Sequence, residues 1–131
     1  MKARDFDKEK DYEDVASWWR SWGSEMLPMH ALPKSGVLIE HEGGKLLAAW
    51  MYDTDSSVVW LEWIIGNKQA RRREVVKALD LAISILLQSA KASGKKVVFA
   101  VTGRETLKKK LLKTGFVEQK KDQETLFVRG L

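Results

Sequence analysis

Two places in this 131-residue chain carry residue types at spacings that invite chemistry. The first is Arg71-Arg72-Arg73, followed by Glu74, where a segment of helical apolar spacing begins. A helix N-terminus has partial positive charge and unpaired N–H groups, so exposed cations there oppose the macrodipole by about 0.3–1 kcal/mol each. An anion at the helix start removes the conflict, because amides and guanidinium groups can hold one phosphate together. The plainer alternative is that the three side chains splay into solvent, with Glu74 and salt relieving the strain. The second place is Glu62, flanked by Trp60, Leu61 and Trp63. Burial among such residues raises a carboxyl pKa and makes a candidate general base. At a sheet rim, or beside a cation, Glu62 would be an ordinary acid.

Other chemistries are excluded or unsupported. With no cysteine, a disulfide scaffold, a thiolate metal site and a cysteine nucleophile are out. His30 and His41 stand eleven residues apart without ligand spacing, so no metal site is expected and no Ser-His-Asp arrangement can be argued. No GxxxxGK[ST] loop is present. Charge divides unevenly: residues 1–65 hold 7 Lys/Arg against 12 Asp/Glu, and residues 66–131 hold 16 against 6. The basic half suits an anionic partner, a phosphorylated cofactor among them, or is simply a solvated lysine-rich surface.

The elements that must position these residues follow from periodicity. Tyr12 to Trp22 reads as an amphipathic helix stopped by Gly23, and Trp18 and Trp19 point to different sides of it. One of that pair would then line a cleft or a partner surface, as in a homodimer. Both prolines, Pro28 and Pro33, fall in one loop, Ser24 to Ser35, which argues for a single domain over residues 1–131. Val37 to Ile39 and Leu46 to Met51 form a hairpin about Gly43-Gly44. Val58 to Ile65 is so apolar that it reads as a strand buried on both faces.

The period then changes to about 3.6, with Val75, Val76, Leu79, Ala82, Ile83, Leu86, Leu87 and Ala90 on one stripe and Gly94 at the end. Lys96 to Val101 reads as a further buried strand. Arg104 to Thr114 is a short helix with Leu107, Leu111 and Leu112 inward, closed by Gly115. Phe116-Val117 and Thr125 to Val128 look like closing strands, and Ala3 to Phe6 an opening one. The order is β-α-β-β-β-α-β-α-β(β), an α+β fold with a central mixed, mostly antiparallel sheet flanked by helices. No apolar run is long enough to span a membrane, and the charged start MKARDFDKEKDYED lacks a signal-peptide core, so a cytoplasmic address is expected.

Taken in order, the hairpin GVLIEHEGGKLLAAWMY, the strand VVWLEWIIGN leading into KQARRREVVKALDLAISILL, the strand KKVVFAV and the segment LKKKLLKTGFVE resemble the GNAT acetyltransferase superfamily over nearly the whole chain. The W-LEW strand, GN turn and C-terminal TGF also resemble small acetyltransferase-like proteins of tailed bacteriophages, which would place the protein in a host cytoplasm. The resemblance implies an acetyl-CoA-dependent N-acetyltransferase, without a metal, acting on an amine of a small molecule or a protein. It implies that the loop Gln69-Ala70-Arg71-Arg72-Arg73-Glu74 holds the cofactor's pyrophosphate. Gln69 keeps the superfamily pattern, whereas Arg72 and Glu74 stand where glycine or a small residue is usual.

The resemblance further implies Glu62 as general base and the N–H of Ile64 or Ile65 as the group polarising the thioester carbonyl. Arg104 stands where an asparagine often orients the cofactor arm. Leu111 occupies the position of the usual acid tyrosine. Trp22 and Tyr52 would lie on the acceptor side, in the acidic half, which should favour a cationic substrate. Two other readings compete. One is a non-catalytic GNAT-fold structural or interaction protein of a phage, with a degenerate cofactor loop. The other is a nucleic-acid binder using the arginines with Lys108, Lys109, Lys110 and Lys113, for which no recognised motif speaks.

Overall fold

The fold is given by a computed structural model, which describes residues 1–119 and 127–131. The chain forms two compact units, Met1–Val101 and Thr102–Leu131. The first contains β1 (Lys2–Asp5), α1 (Lys8–Ser21), β2 (Ser35–His41), β3 (Gly44–Tyr52), β4 (Val58–Gly66), α2 (Arg72–Ala92) and β5 (Val97–Ala100). These strands make one sheet in the order β1-β2-β3-β4-β5, antiparallel throughout except that β4 and β5 run parallel. A mixed, mostly antiparallel sheet flanked by helices is therefore what the chain forms.

Local chemistry fixes the element ends. Helix α1 starts four residues before the expected Tyr12, because Asp7 caps it: the carboxylate accepts from the N–H of Glu9 (2.9 Å) and Lys10 (3.1 Å). It stops at Gly23, as expected, which takes φ +70° while its N–H bonds Arg20 O and Ser24 N–H reaches back to Trp19 O. A 3₁₀ turn, Met29–Ala31, lies inside the segment expected to be irregular. In the β2–β3 hairpin only Gly44 adopts positive φ, and the Gly43 N–H donates to His41 Nδ1.

The sheet is covered on two sides. On one, Val15, Trp18 and Trp19 of α1 pack with Leu32, Leu38, Ala48, Trp50 and Ile65. Trp50 is fully buried, stacked on Trp19 at 6.1 Å and met edge-on by Phe6 at 4.8 Å. Its ring needs Gly36 on the neighbouring strand, since a Cβ there would lie 2.4 Å from it. Both Trp18 and Trp19 are buried, so neither faces the expected cleft or partner surface: the Leu27–Leu32 segment closes over the side of α1 that the sheet leaves open. On the opposite side α2 buries Ala78, Leu79, Ala82, Ile83, Leu86 and Ala90, close to the expected stripe.

The same α1 stripe carries a carboxylate. Asp11, four residues before Val15, has no exposed surface. Arg4 grips it with Nη1 and Nη2 at 2.7 and 2.8 Å, Lys45 Nζ reaches it at 2.8 Å, and Asp7 N–H donates at 2.8 Å. Glu40 and Asp14 complete the network from Arg4 and Lys45. Burial alone would raise the Asp11 carboxyl, but the hydrogen bonds from Arg4, Lys45 and Asp7 hold it well below the usual carboxylate range.

Three strand expectations are corrected. Strand β4 is not buried on both faces: Val59, Leu61 and Ile65 are buried, while Trp60, Glu62 and Ile64 are half-buried and Trp63 is exposed. Strand β5 is not buried either, with Val97 and Phe99 exposed, because it has a single strand partner among the described residues and lies beyond the cover of α1. Phe116-Val117 forms no strand; of the second closing strand, Thr125 and Leu126 lie outside the described residues and Phe127-Val128 has no regular structure.

The second unit holds α3 (Glu105–Lys113), ended by Gly115 at φ +94°. Leu111 is buried and Leu107 half-buried, but Leu112 is exposed, since five residues from Leu107 it lies well round the helix from the 107/111 face.

Candidate functional site

The sheet comes apart at β4. Its parallel pairing with β5 ends at Leu61↔Ala100, yet β4 continues to Gly66 with β3 alone beside it among the described residues. Within that stretch Trp50 pairs with Glu62 and Ala48 with Ile65, so Ala49 faces two residues, Trp63 and Ile64. This is a β-bulge, and Trp63 enters it at φ +60°, the one positive value outside glycine among the described residues. The extra residue reverses the alternation of side chains. Leu61, opposite Met51, faces α2, whereas Ile65, opposite Ala48, packs with α1. A run that reads as uniformly apolar is thus two short one-sided strands joined at a bulge.

The bulge also sets the backbone donors. Asn67 N–H bonds Leu46 O at 2.8 Å, so the antiparallel ladder turns Ile65 toward Ala48 and leaves Ile64 and Gly66 toward the open edge. Gly66 O there accepts from Trp22 Nε1 at 2.9 Å. Lys68 lies over the Trp22 ring at 4.9 Å and its Nζ donates to Ser21 O. Trp22, the last residue of the α1 cap, therefore stands where β4 passes into α2.

Glu62 shares the α1-side face of β4 with Trp60, across from Trp50 and Tyr52. It is half-buried, and no cation pairs with it among the described residues. Burial raises its pKa, and a hydrogen bond from Trp63 N–H offsets only part of the rise. Tyr52 is tied on both sides: its Oη donates to Ala31 O at 2.7 Å and accepts from Trp63 Nε1 at 2.7 Å.

The turn into α2 is built by Asn67. Its Oδ1 accepts from Gln69 N–H (3.0 Å), its carbonyl from Ala70 N–H (3.1 Å), and its Nδ2 donates to Lys45 O (3.0 Å). The amides of Gln69 and Ala70 are thereby used up. Those of Arg71, Arg72 and Arg73 have no acceptor among the described residues, and Arg71, the N-cap, supplies no capping side chain. All three arginines are exposed; Glu74 is half-buried and its N–H returns to Arg71 O. Gly66 permits this close entry, for a Cβ there would meet Val75 Cγ1 at 2.7 Å.

One stretch of the first unit therefore brings together Glu62, Ile64, Ile65, the Gln69–Glu74 turn, Trp22 and Tyr52. Arg104 belongs to the second unit as the N-cap of α3, its N–H bonded to Thr102 Oγ1 at 3.1 Å. Sequence reasoning missed the bulge residue Trp63, which no glycine marks, and the network at Asp11. The latter has a signal: residues 11, 15, 18 and 22 share helical spacing, so a charged residue stands on an apolar stripe. Among the described residues no cluster of His, Asp or Glu is suited to a metal ion, and no helix is long and apolar enough to cross a membrane.

No protein-family model matches the sequence, and no curated protein matches it either. Solved structures do. The wild-type protein TTHA1254 from Thermus thermophilus is 20% identical, with a TM-score of 0.69 over 100% of this chain and 98% of its own. The aminoglycoside N-acetyltransferase AAC(6')-Iy, solved in complex with CoA, is 20% identical, with a TM-score of 0.65 over 98% of each chain. SA2161 from meticillin-resistant Staphylococcus aureus, described as a probable acetyltransferase, is 13% identical, with a TM-score of 0.72 over 98% of each chain. At these identities the likeness is one of architecture: the chain has the GNAT acetyltransferase fold.

Proposed function

We propose that the protein is an acetyl-CoA-dependent N-acetyltransferase, with residues 1–131 acting as one domain. The observation that carries this reading is the parting of β4 from β5 after Leu61, with a bulge that turns Ile64 N–H to the open edge beside half-buried Glu62. The turn at the far end fits a diphosphate. Three successive free amides, Arg71 to Arg73, and three exposed guanidinium groups offer the donors that glycine-rich loops supply by close backbone approach. Acetyl-CoA supplies an acyl group activated as a thioester.

In the reaction, Glu62 takes a proton from the acceptor ammonium, its burial-raised pKa making it a stronger base than an exposed carboxylate. The freed amine forms a C–N bond to the acyl carbon, and Ile64 N–H donates to the oxygen that gains charge. The C–S bond then breaks, and water carries the second proton of the attacking nitrogen to the departing thiolate. The acceptor is an amine of a small molecule or a protein, a cationic one in view of the acidic first half; the CoA complex of an aminoglycoside acetyltransferase with this fold supports that class. A bacteriophage origin rests on the sequence resemblance and a cytoplasmic setting on the charged start and short apolar runs; a homodimer loses its ground, because Trp18 and Trp19 are both buried.

The test is thiol release from acetyl-CoA across a panel of cationic amines, with Glu62→Gln in parallel. Amine-dependent release that falls about 10²-fold in the variant is expected. Release that no amine stimulates would favour the second reading, a non-catalytic phage protein. One observation speaks for it: Asn67 consumes the Gln69 and Ala70 amides in the cofactor turn.

A further inference from the structure

The left-handed backbone of Trp63 is unusual enough to need a cause. A bulky residue pays steric strain at positive φ and keeps that conformation only where its surroundings impose it. The surroundings here are two hydrogen bonds in series, Trp63 Nε1 to Tyr52 Oη and Tyr52 Oη to Ala31 O, each 2.7 Å. They join three segments distant in sequence: the bulge of β4, the end of β3, and the 3₁₀ turn Met29–Ala31. Tyr52 is held only at half-burial, and Trp63 is exposed, so packing alone does not clamp the indole.

We propose that Tyr52 and Trp63 are positioning residues that latch the β4 bulge to the 24–34 loop, so that the seating of this loop sets the direction of Ile64 N–H. The inference rests on the transferase reading for its consequence, though not for its geometry. Neither side chain transfers a proton: the Tyr52 hydroxyl hydrogen is committed to Ala31 O. Loop and donor site are thereby coupled, since anything that lifts Ala31 frees the Tyr52 hydroxyl and then the indole.

The experiment combines Tyr52→Phe, Trp63→Phe and Trp63→Gly with the double variant Tyr52→Phe/Trp63→Gly. Amide and indole ¹⁵N spectra are read alongside acetyl-CoA titration, with thermal melting as the folding control. Tyr52→Phe should move both the Trp63 indole and the Ile64 amide resonances, and weaken acetyl-CoA about fivefold, the scale of one lost hydrogen bond. Trp63→Phe should shift Ile64 and weaken acetyl-CoA to the same extent. In the Trp63→Gly background, where glycine holds positive φ unaided, Tyr52→Phe should have no further effect on Ile64. An Ile64 amide unmoved in folded Tyr52→Phe, or equal losses from Tyr52→Phe in both backgrounds, would overturn the latch. If the wild-type protein binds no acetyl-CoA, the transferase reading fails while the spectra still decide the latch.

Discussion

Asp11→Asn is the substitution whose cost the structure fixes best. The carboxylate is completely buried and accepts four hydrogen bonds: two from Arg4, one from Lys45 and one from the Asp7 N–H. The amide keeps the shape but removes the charge, and turns an NH₂ toward Arg4, which bonds both carboxylate oxygens. Breaking a buried ion pair on one side costs about 3–5 kcal/mol. Arg4 and Lys45 side chains are 30% and 26% exposed and retain Glu40 and Asp14, so they rehydrate in part and the lower end applies, about 3 kcal/mol. For a chain of this size that lowers Tm by about 10 °C.

The sign of the pH dependence follows from the depressed carboxyl. Its stabilisation is complete above the ordinary aspartate value of 3.8 and is lost as pH falls toward the lower native one. Urea unfolding of both proteins at steps from pH 7 down to about pH 2.5 should show the full gap at neutrality and a narrowing gap below about pH 4. A gap under about 1 kcal/mol at pH 7, or one that stays constant into acid, would refute the reasoning.

Three further outcomes are expected. The acetyl-transfer rate should climb with pH through the raised Glu62 pKa, and Glu62→Gln should abolish that limb; a retained limb would mean that another group is the base. The same variant should melt no lower than wild type at pH 8, because a carboxyl raised by burial destabilises the fold once it ionises; a lower Tm there would mean that the carboxylate is stabilising. Gly66→Ala places a Cβ 2.7 Å from Val75 Cγ1 and should cost about 1–3 kcal/mol in urea unfolding, largely restored by adding Val75→Ala; an additive loss would mean that the two sites do not touch.

Much of this architecture is legible in the sequence because it is local. Helix α2 reads directly from its 3.6-residue stripe, and Gly23, Gly94 and Gly115 stop their helices at positive φ. What fails to read is what depends on neighbours. The apolar run Val58–Ile65 gives no sign of a bulge, because Trp63 takes a conformation usually left to glycine and is held by partners 11 and 32 positions away. Strand β5 has the composition of a central strand, whereas its exposure reflects its place at the end of the sheet order. Trp18 and Trp19 look incompatible on one helix face, yet sheet and loop together cover both.

The candidate site is legible in part. Glu62 and the arginine triplet stand out from the sequence by chemistry alone, and Glu62 has the raised pKa that burial implies. The turn itself departs from its glycine-rich counterparts: Asn67 consumes the first two amides and shifts the free donors to Arg71, Arg72 and Arg73.

The central claim is that this arginine-bearing turn and the open edge of β4 together bind acetyl-CoA, and calorimetric titration of the purified protein with acetyl-CoA, free CoA and the Arg72→Glu variant tests it most directly. Saturable one-to-one binding, weakened about tenfold by Arg72→Glu and reduced by salt, is the expected result. No heat at millimolar ligand, with an unshifted melting temperature, would contradict the account.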